Sequence, residues 1–234
     1  MFGIPQIQLG ILYNNWLCNK ILIYLKLMKD REATVSGIFP TPVYITQLNR
    51  KFIDKENKFI DKIYKKDNYK NEGNLTSNDT YILNSRPFNI LKKELNKIIK
   101  DYCNKVLSTS NNIEPYITQS WLNYTKEGQY HHKHAHPNSI ISGVLYINAD
   151  KDNDKIFFFK EKYELFRPEI KEYNIWNSES WFFPIKTGDV ILFPSSLTHM
   201  VKTKEGTNTR ISLSFNVFFK GTIGSYRDLT ELII

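Results

Sequence analysis

Short apolar segments separated by turns fill the second half of the sequence, and this pattern restricts the fold to a β-rich one. After Pro115, β-branched and aromatic residues concentrate in YITQSWLNYT, SIISGVLYIN, KIFFFK, SWFFPI, DVILFP, HMVKT and RISLSFNVFF. Turn residues separate these segments, for example Gly188, Gly206 and the run NADKDND at 148–154. Seven strands spaced in this way predict a sandwich or barrel.

The first half of the sequence has a different periodicity. GIFPTPVYI at 37–45 has the composition of a strand, whereas residues 48–66 and 87–107 carry apolar positions at helical spacing. The polar segment between the helices, KKDNYKNEGNLTSNDT, predicts a surface loop. We therefore expect a mainly β domain with flanking helices over residues 29–234, without a linker or an internal repeat.

The first 28 residues form a separate apolar segment that asparagine and lysine interrupt. Its apolar runs are shorter than the ~18 to 20 residues of a membrane span, and a secretory signal lacks both its basic start and its cleavage site. Three interpretations remain: a docking helix, a membrane-surface segment, or an extension upstream of a natural start at Met28. We favour the extension, residues 1–28.

Charge and cysteine content indicate which kinds of partner and which cellular compartment to expect. The 234 residues carry a formal charge of +8, from 32 basic and 24 acidic residues. The lysines alternate with acids, which indicates solvated helix faces, so nucleic-acid binding rests on net charge alone. Cys18 and Cys103 have no paired spacing and favour neither a disulfide framework nor a cysteine zinc site. We expect a cytoplasmic protein that does not cross a membrane.

Four of the five histidines lie together in YHHKHAHP. On an extended strand His132, His134 and His136 fall on one face, and His131 falls on the other. Two imidazoles two residues apart can reach one metal ion, and His199, which ends GDVILFPSSLTH, is the remaining candidate for a third ligand. A chance polar edge and a structural zinc site are the alternatives, although structural zinc usually takes cysteines and four protein ligands.

An arginine follows the last histidine at a suggestive distance. Arg210 lies eleven residues after His199 and opens RISLSFNVFF. In a strand, Ile211, Leu213 and Phe215 face one side, which places Arg210 with the polar residues of the other side. An isolated arginine is most often a surface residue. Beside a metal site, however, its planar fork suits the carboxylate of a ligand that chelates the metal.

Five blocks in this order resemble the iron(II)- and 2-oxoglutarate-dependent oxygenases, and within them a phage and bacterial family. The resemblance covers residues 38–219 and rests on FPTPVY, WLNY, HAHPNSIISGVLYI, GDVILFPSSLTHMV and RISLSFN. It implies a double-stranded β-helix, the jelly-roll or cupin-like fold.

The resemblance also implies roles for individual residues. It assigns the metal ligands to His134, His136 and His199, and the far carboxylate of 2-oxoglutarate to Arg210. Tyr146, Ser212, Asn123 and Asn216 match further polar positions for co-substrate binding. The family usually has aspartate where this sequence has His136, so three neutral ligands are a departure that would weaken iron retention. His132 with His134 is a geometrically equal pair, but HxHP before SGVLYI fits the family better.

The function that the resemblance implies is an iron(II)- and 2-oxoglutarate-dependent dioxygenase, a hydroxylase of unknown primary substrate. Ascorbate is an additional cofactor to test, and no catalytic residue is expected beyond the metal centre. A catalytically inert metal-binding β-sandwich, such as a phage accessory or structural protein, is the alternative. If a phage encodes the chain, we expect it in the host cytoplasm.

Overall fold

Two antiparallel sheets pack against each other in the computed structural model, which describes residues 34–160, 166 and 168–234. The larger sheet has the order β1-β9-β6-β11-β4-β3-β2, with β12 paired to β11, and the smaller sheet has the order β5-β10-β7-β8. In chain order the strands are β1 Tyr44–Gln47, β2 Asn68–Lys70, β3 Leu75–Ser77, β4 Ile113–Thr125, β5 His131–His134, β6 Ile141–Asn148, β7 Lys155–Phe159, β8 Ser180–Pro184, β9 Asp189–Pro194, β10 His199–Val201, β11 Arg210–Ile223 and β12 Leu232–Ile233.

Two α-helices cover one face of the larger sheet. Helix α1 spans Asp54–Lys66, and helix α2 spans Asn89–Tyr102 and continues as a π-helical turn at Cys103–Leu107. Leu91, Leu95 and Ile99 of α2 are buried at a spacing of four residues, which gives this helix one apolar face. They belong to the same apolar core as Leu122 and Leu213 of the sheet. Two short 3-10 helices, Ile82–Asn84 and Arg86–Phe88, precede α2.

The opposite face of the larger sheet packs on the smaller sheet. Val144 and Ile191 from the larger sheet form a second apolar cluster with Ile156 and Phe158 from the smaller one. Strand β6 is thus covered on both faces, and its residues from Ile141 to Ile147 are all buried. This double burial explains why its sequence is almost continuously apolar instead of alternating.

The seven segments predicted as strands after Pro115 are all strands, but the first half differs from the prediction in detail. The first strand begins at Tyr44 and the first helix at Asp54. The segment predicted as a surface loop contains the β2–β3 hairpin, and β3 pairs with β4. The prediction was wrong here because buried hydroxyls of β3 have partners: Thr76 Oγ1 donates to Asn123 Oδ1 at 3.0 Å.

The compact unit that carries these elements runs from Thr41 to Ile234. The expected extension, residues 1–28, lies outside the described residues and stays a prediction. None of the helices in the described part of the chain is long and apolar enough to cross a membrane.

Candidate metal centre

The three predicted ligands meet between the two sheets. His134 ends β5, His136 follows it by two residues, and His199 opens β10 directly opposite His134. The ring centroids of His134 and His199 are 4.4 Å apart, and those of His136 and His199 are 5.2 Å apart. One nitrogen from each of the three rings lies within 4.8 Å of the others. Strand pairing therefore forms a group of side chains that could hold one metal ion.

Backbone hydrogen bonds orient two of these rings. His134 Nδ1 lies 2.8 Å from the carbonyl oxygen of His132, and His199 Nδ1 lies 3.0 Å from that of Leu197. Because a carbonyl oxygen only accepts, each Nδ1 carries the proton, and Nε2 of the neutral ring keeps its lone pair. This is the tautomer that a metal requires of an Nε2 ligand.

His136 is oriented differently from the other two. Its backbone N–H donates to the carbonyl of Ser195 at 3.0 Å. Its ring stacks on His199 with an angle of 15° between the planes, and it lies beside Trp121 at 5.7 Å between centroids. Packing between two rings thus holds the side chain at the position where the family usually has a carboxylate.

Burial keeps the three rings uncharged at neutral pH. It is the largest cause that lowers the pKa of His199 to about 3 and that of His136 to about 4, and neighbouring histidines add to both shifts. The pKa of His134 is also lowered, again mainly by burial. Neutral imidazole is the form that binds a metal ion, so the group needs no proton loss before binding.

A β-bulge in β5 places a fourth histidine in the same cavity. His134 pairs with His199 and His131 pairs with Val201, so two residues of β5 lie opposite the single Met200 of β10. A bulge of this kind re-aims the side chains beyond it. His131 consequently lines the cavity with His134, although strict alternation predicts the opposite face; that prediction was wrong.

His132 is half-buried on β5 and packs beside His134, with 4.9 Å between the ring centroids. Its Nδ1 lies 3.8 Å from a carboxylate oxygen of the exposed Glu72. His132 also forms a group with His131 and His134 whose ligand atoms lie within 4.8 Å of one another. The third histidine of the pair His132–His134 is therefore His131 and not His199, because His132 does not line the cavity that contains His199.

Arg210 lines the same cavity and belongs to a buried charge cluster. Its exposed fraction is 3 %, and Nη1 lies 3.4 Å from Asp154 Oδ1. Lys204 Nζ lies 3.2 Å from the same oxygen, and the side chains of Lys204 and Asp154 are completely buried. Burial lowers the pKa of Arg210, while Tyr146 and Asp154 oppose that shift. Among the residues that the structure describes, these two cations share one carboxylate, so the cluster carries one excess positive charge.

Asp154 and Lys204 are functional candidates that the sequence did not reveal. Asp154 ends the acidic run NADKDND, and Lys204 precedes Gly206; both segments read as turns. Their only sequence signal is a charged residue immediately before or after a predicted strand. That signal is too common to single them out.

The cavity that joins the histidines to Arg210 has a volume of about 560 Å³, including the part open to solvent. Tyr146, Ser212 and Asn123 line it, as expected for residues near a co-substrate. Asn123 is already engaged, since its Nδ2 donates to Ser214 Oγ at 3.1 Å. Asn216 is not brought to this cavity: it lines a separate depression together with Trp121 and His136.

Comparison with known proteins gives a family match for part of the chain and a fold. Residues 119–216 match the family described as "Putative 2OG-Fe(II) oxygenase". Among solved structures, the chain is similar to HygX from Streptomyces hygroscopicus, which was crystallised with nickel, 2-oxoglutarate and hygromycin B. The TM-score is 0.53 and the identity 10 %, and the match covers 76 % of this chain and 82 % of HygX. The chain is also similar to the non-heme alpha ketoglutarate dependent epimerase SnoN from nogalamycin biosynthesis, with a TM-score of 0.51 and 9 % identity over 76 % and 78 %. No curated protein sequence matches the chain. The structural likenesses confirm the double-stranded β-helix.

Proposed function

We propose that this chain, whose residues 119–216 match the family of 2OG-Fe(II) oxygenases, is an iron(II)- and 2-oxoglutarate-dependent dioxygenase that hydroxylates a primary substrate. The observation that carries the proposal is a cavity lined both by three neutral histidines that could hold a metal and by a buried arginine. A metal chelated by one end of 2-oxoglutarate and a cation for its far carboxylate need this arrangement.

The donor set fits iron(II), with one departure from the usual set. His134, His136 and His199 would hold the metal, and imidazole is a good ligand for iron. Non-haem oxygenases usually combine two histidines with one carboxylate, but among the described residues the group at this position consists of three histidines. Three neutral ligands leave the full charge of the ion uncompensated. We therefore expect weaker iron retention and a stronger dependence on the anionic co-substrate.

The charge cluster fits the far carboxylate of 2-oxoglutarate. Arg210 and Lys204 outnumber Asp154 by one charge in a buried setting, where an unpaired charge is costly. A carboxylate supplied by the co-substrate would balance it and could bind the guanidinium fork with two hydrogen bonds. Tyr146 and Ser212 line the same cavity and are the helpers we propose for this end.

The bound group and the protein contribute different parts of the reaction. When bound, iron(II) would supply the oxidation chemistry: oxygen oxidises a C–H bond of the substrate while 2-oxoglutarate is converted to succinate and carbon dioxide. The protein positions the co-substrate between the histidines and Arg210. The apolar Phe193 and Ile156 in the cavity wall limit the entry of water.

Anaerobic titration tests this proposal directly. Iron(II) is added to the metal-free protein, 2-oxoglutarate follows, and the weak visible charge-transfer band of the chelate is recorded. We expect one iron per chain, and a band that saturates with 2-oxoglutarate at millimolar concentration or below. Slow consumption of 2-oxoglutarate in air, even without a primary substrate, should accompany it.

A matched pair of histidine variants controls the titration. His199→Ala removes a proposed ligand and should abolish both iron binding and the band. His132→Ala removes an imidazole outside the cavity and should retain both. If the iron-loaded wild-type protein binds no 2-oxoglutarate at millimolar concentration, the dioxygenase proposal is wrong and an inert metal-binding sandwich is the better description.

A further inference from the structure

His131 lines the cavity but belongs neither to the proposed metal ligands nor to the charge cluster around Arg210. The bulge in β5 turns its ring inward, where it stacks on His134 with centroids 4.7 Å apart and an angle of 19° between the planes. It lines the same cavity as Arg210. A buried imidazole in this position must either bind a metal, bind a ligand or serve packing alone.

The hydrogen bond to Asn74 decides which nitrogen of His131 carries the proton. Asn74 is 1 % exposed, and its Nδ2 lies 3.2 Å from His131 Nδ1. In this orientation of the amide, which leaves Asn74 Oδ1 without a hydrogen-bond partner among the described residues, Nδ2 donates and His131 Nδ1 accepts and carries no proton. The neutral ring therefore has its proton on Nε2, the nitrogen on the side of the ring away from Asn74.

This tautomer is the opposite of that found at two proposed metal ligands. His134 and His199 carry the proton on Nδ1, where backbone carbonyls accept it, and have a lone pair on Nε2. His131 instead has an N–H group on Nε2, which cannot bind a metal ion but can donate a hydrogen bond. Neighbouring rings in one cluster thus have different roles.

We propose that His131 is a co-substrate-binding residue that donates its Nε2–H to a carboxylate oxygen of 2-oxoglutarate, and that Asn74 fixes the tautomer required for this bond. The inference rests on the proposed function and deepens it. Arg210 binds from the larger sheet and His131 from the smaller one, so the co-substrate links the two sheets. A neutral donor adds affinity for an anion without adding another charge to a site that already has an excess cation.

Calorimetric titration of 2-oxoglutarate into the iron-loaded protein without oxygen tests the proposal. His131→Ala should weaken 2-oxoglutarate binding by roughly 10-fold to 100-fold, the usual effect of losing one hydrogen bond to a charged group. His131→Gln keeps an N–H donor on a side chain of similar length and should restore part of the affinity. Iron affinity, measured separately, should stay within about threefold of wild type in both variants.

His132→Ala is the matched control, because it removes the adjacent imidazole, which does not line the cavity. It should leave 2-oxoglutarate affinity within about twofold. Unchanged 2-oxoglutarate affinity in His131→Ala would overturn this inference, while 2-oxoglutarate binding by the wild-type protein would still support the proposed function. Loss of iron in His131→Ala would show a metal ligand instead, and would mean that the Asn74 amide has the reverse orientation.

Nitrogen NMR of the metal-free protein gives a second test that does not depend on His131 substitutions. Long-range proton–nitrogen spectra should show a protonated Nε2 for His131 and a protonated Nδ1 for His134. Asn74→Asp replaces the amide donor with an acceptor, so it should move the His131 proton to Nδ1 and weaken 2-oxoglutarate about as much as His131→Ala. A wild-type His131 with its proton on Nδ1 would refute the proposed bond.

Discussion

Strands β5 and β11 both contribute side chains to the cavity, but they follow the strand period differently. Strand β11 is 14 residues long and is paired on both sides, by β4 and β6. Where the register with β4 or β6 shifts, the extra residue lies in the partner strand. The side chains of β11 therefore alternate between its two faces without a break. Strand β5 has four residues, lies at the edge of its sheet and contains a bulge opposite β10.

The difference shows that a buried apolar face maintains the register of a strand. A shift by one residue in β11 would exchange its polar cavity face, which carries Ser212 and Ser214, with its apolar face, which carries Leu213 and Val217. Strand β5 has one partner strand and little apolar surface, so an extra residue disturbs few contacts. The cavity therefore combines a strand with a fixed register and a strand whose bulge re-aims one imidazole.

Deletion of Leu213 should have the largest effect on the molecule. It would move every later residue of β11 to the opposite face and expose Phe215 and Val217. We expect no soluble protein with a cooperative thermal transition. Leu213→Ala is the control, because it removes the same side chain without a register shift and should cost about 2 to 5 kcal/mol. A deletion variant as stable as Leu213→Ala would show that β11 can form a bulge as β5 does.

Asp154→Asn should have the next largest effect. It leaves Arg210 and Lys204 buried without their shared carboxylate, which should lower the free energy of unfolding by about 3 to 5 kcal/mol. Denaturant unfolding of the metal-free protein measures this change. Asp152→Asn, at an exposed position nearby, should stay within about 0.5 kcal/mol of wild type. Equal stability of the two variants would mean that the cluster is not held by charge.

Arg210→Ala should weaken 2-oxoglutarate while leaving iron affinity nearly unchanged. Loss of a charge-assisted bidentate contact costs about 2 to 5 kcal/mol, or roughly 30-fold to several thousand-fold in affinity. Arg210→Lys should restore only part of this, because an ammonium group cannot reproduce the planar fork. Anaerobic calorimetry measures both ligands. The control is Lys220→Ala, which removes a cation from the exposed part of β11. Unchanged 2-oxoglutarate affinity in Arg210→Ala would exclude the role assigned to Arg210.

Deletion of Lys133 should have the smallest effect, although it too removes a residue from a strand. It eliminates the bulge, and ordinary alternation then keeps His131 and His134 on one face because they become two residues apart. We expect iron affinity within about fivefold and unfolding free energy within about 1 kcal/mol of wild type. Deletion of Ala135 changes the spacing of His134 and His136 and should abolish iron binding. Loss of iron in both variants would show that the bulge itself shapes the centre.

The sequence by itself predicted much of this architecture. The segments that became β6 and β9 are apolar over most of their length, and burial is the direct reason for that composition. The period of two in β11 correctly placed Arg210 on the polar face, because the strand is regular. The rule that residues two apart share a face left His132–His134 and His134–His136 as equal pairs. The family resemblance favoured His134 with His136, which the structure brings together with His199.

Tertiary structure decided what local periodicity does not encode. The inward position of His131 depends on how β5 pairs with β10, and the ion-pair partner of Arg210, Asp154, lies 56 positions away in the sequence. Asn216 has the same alternation as Ser212 and Ser214, yet it lies beyond the cavity because the cavity ends before it. Strand period is a property of the chain itself, and the sequence therefore determined it. Bulges, buried charge partners and cavity ends arise only when separate segments pack against each other.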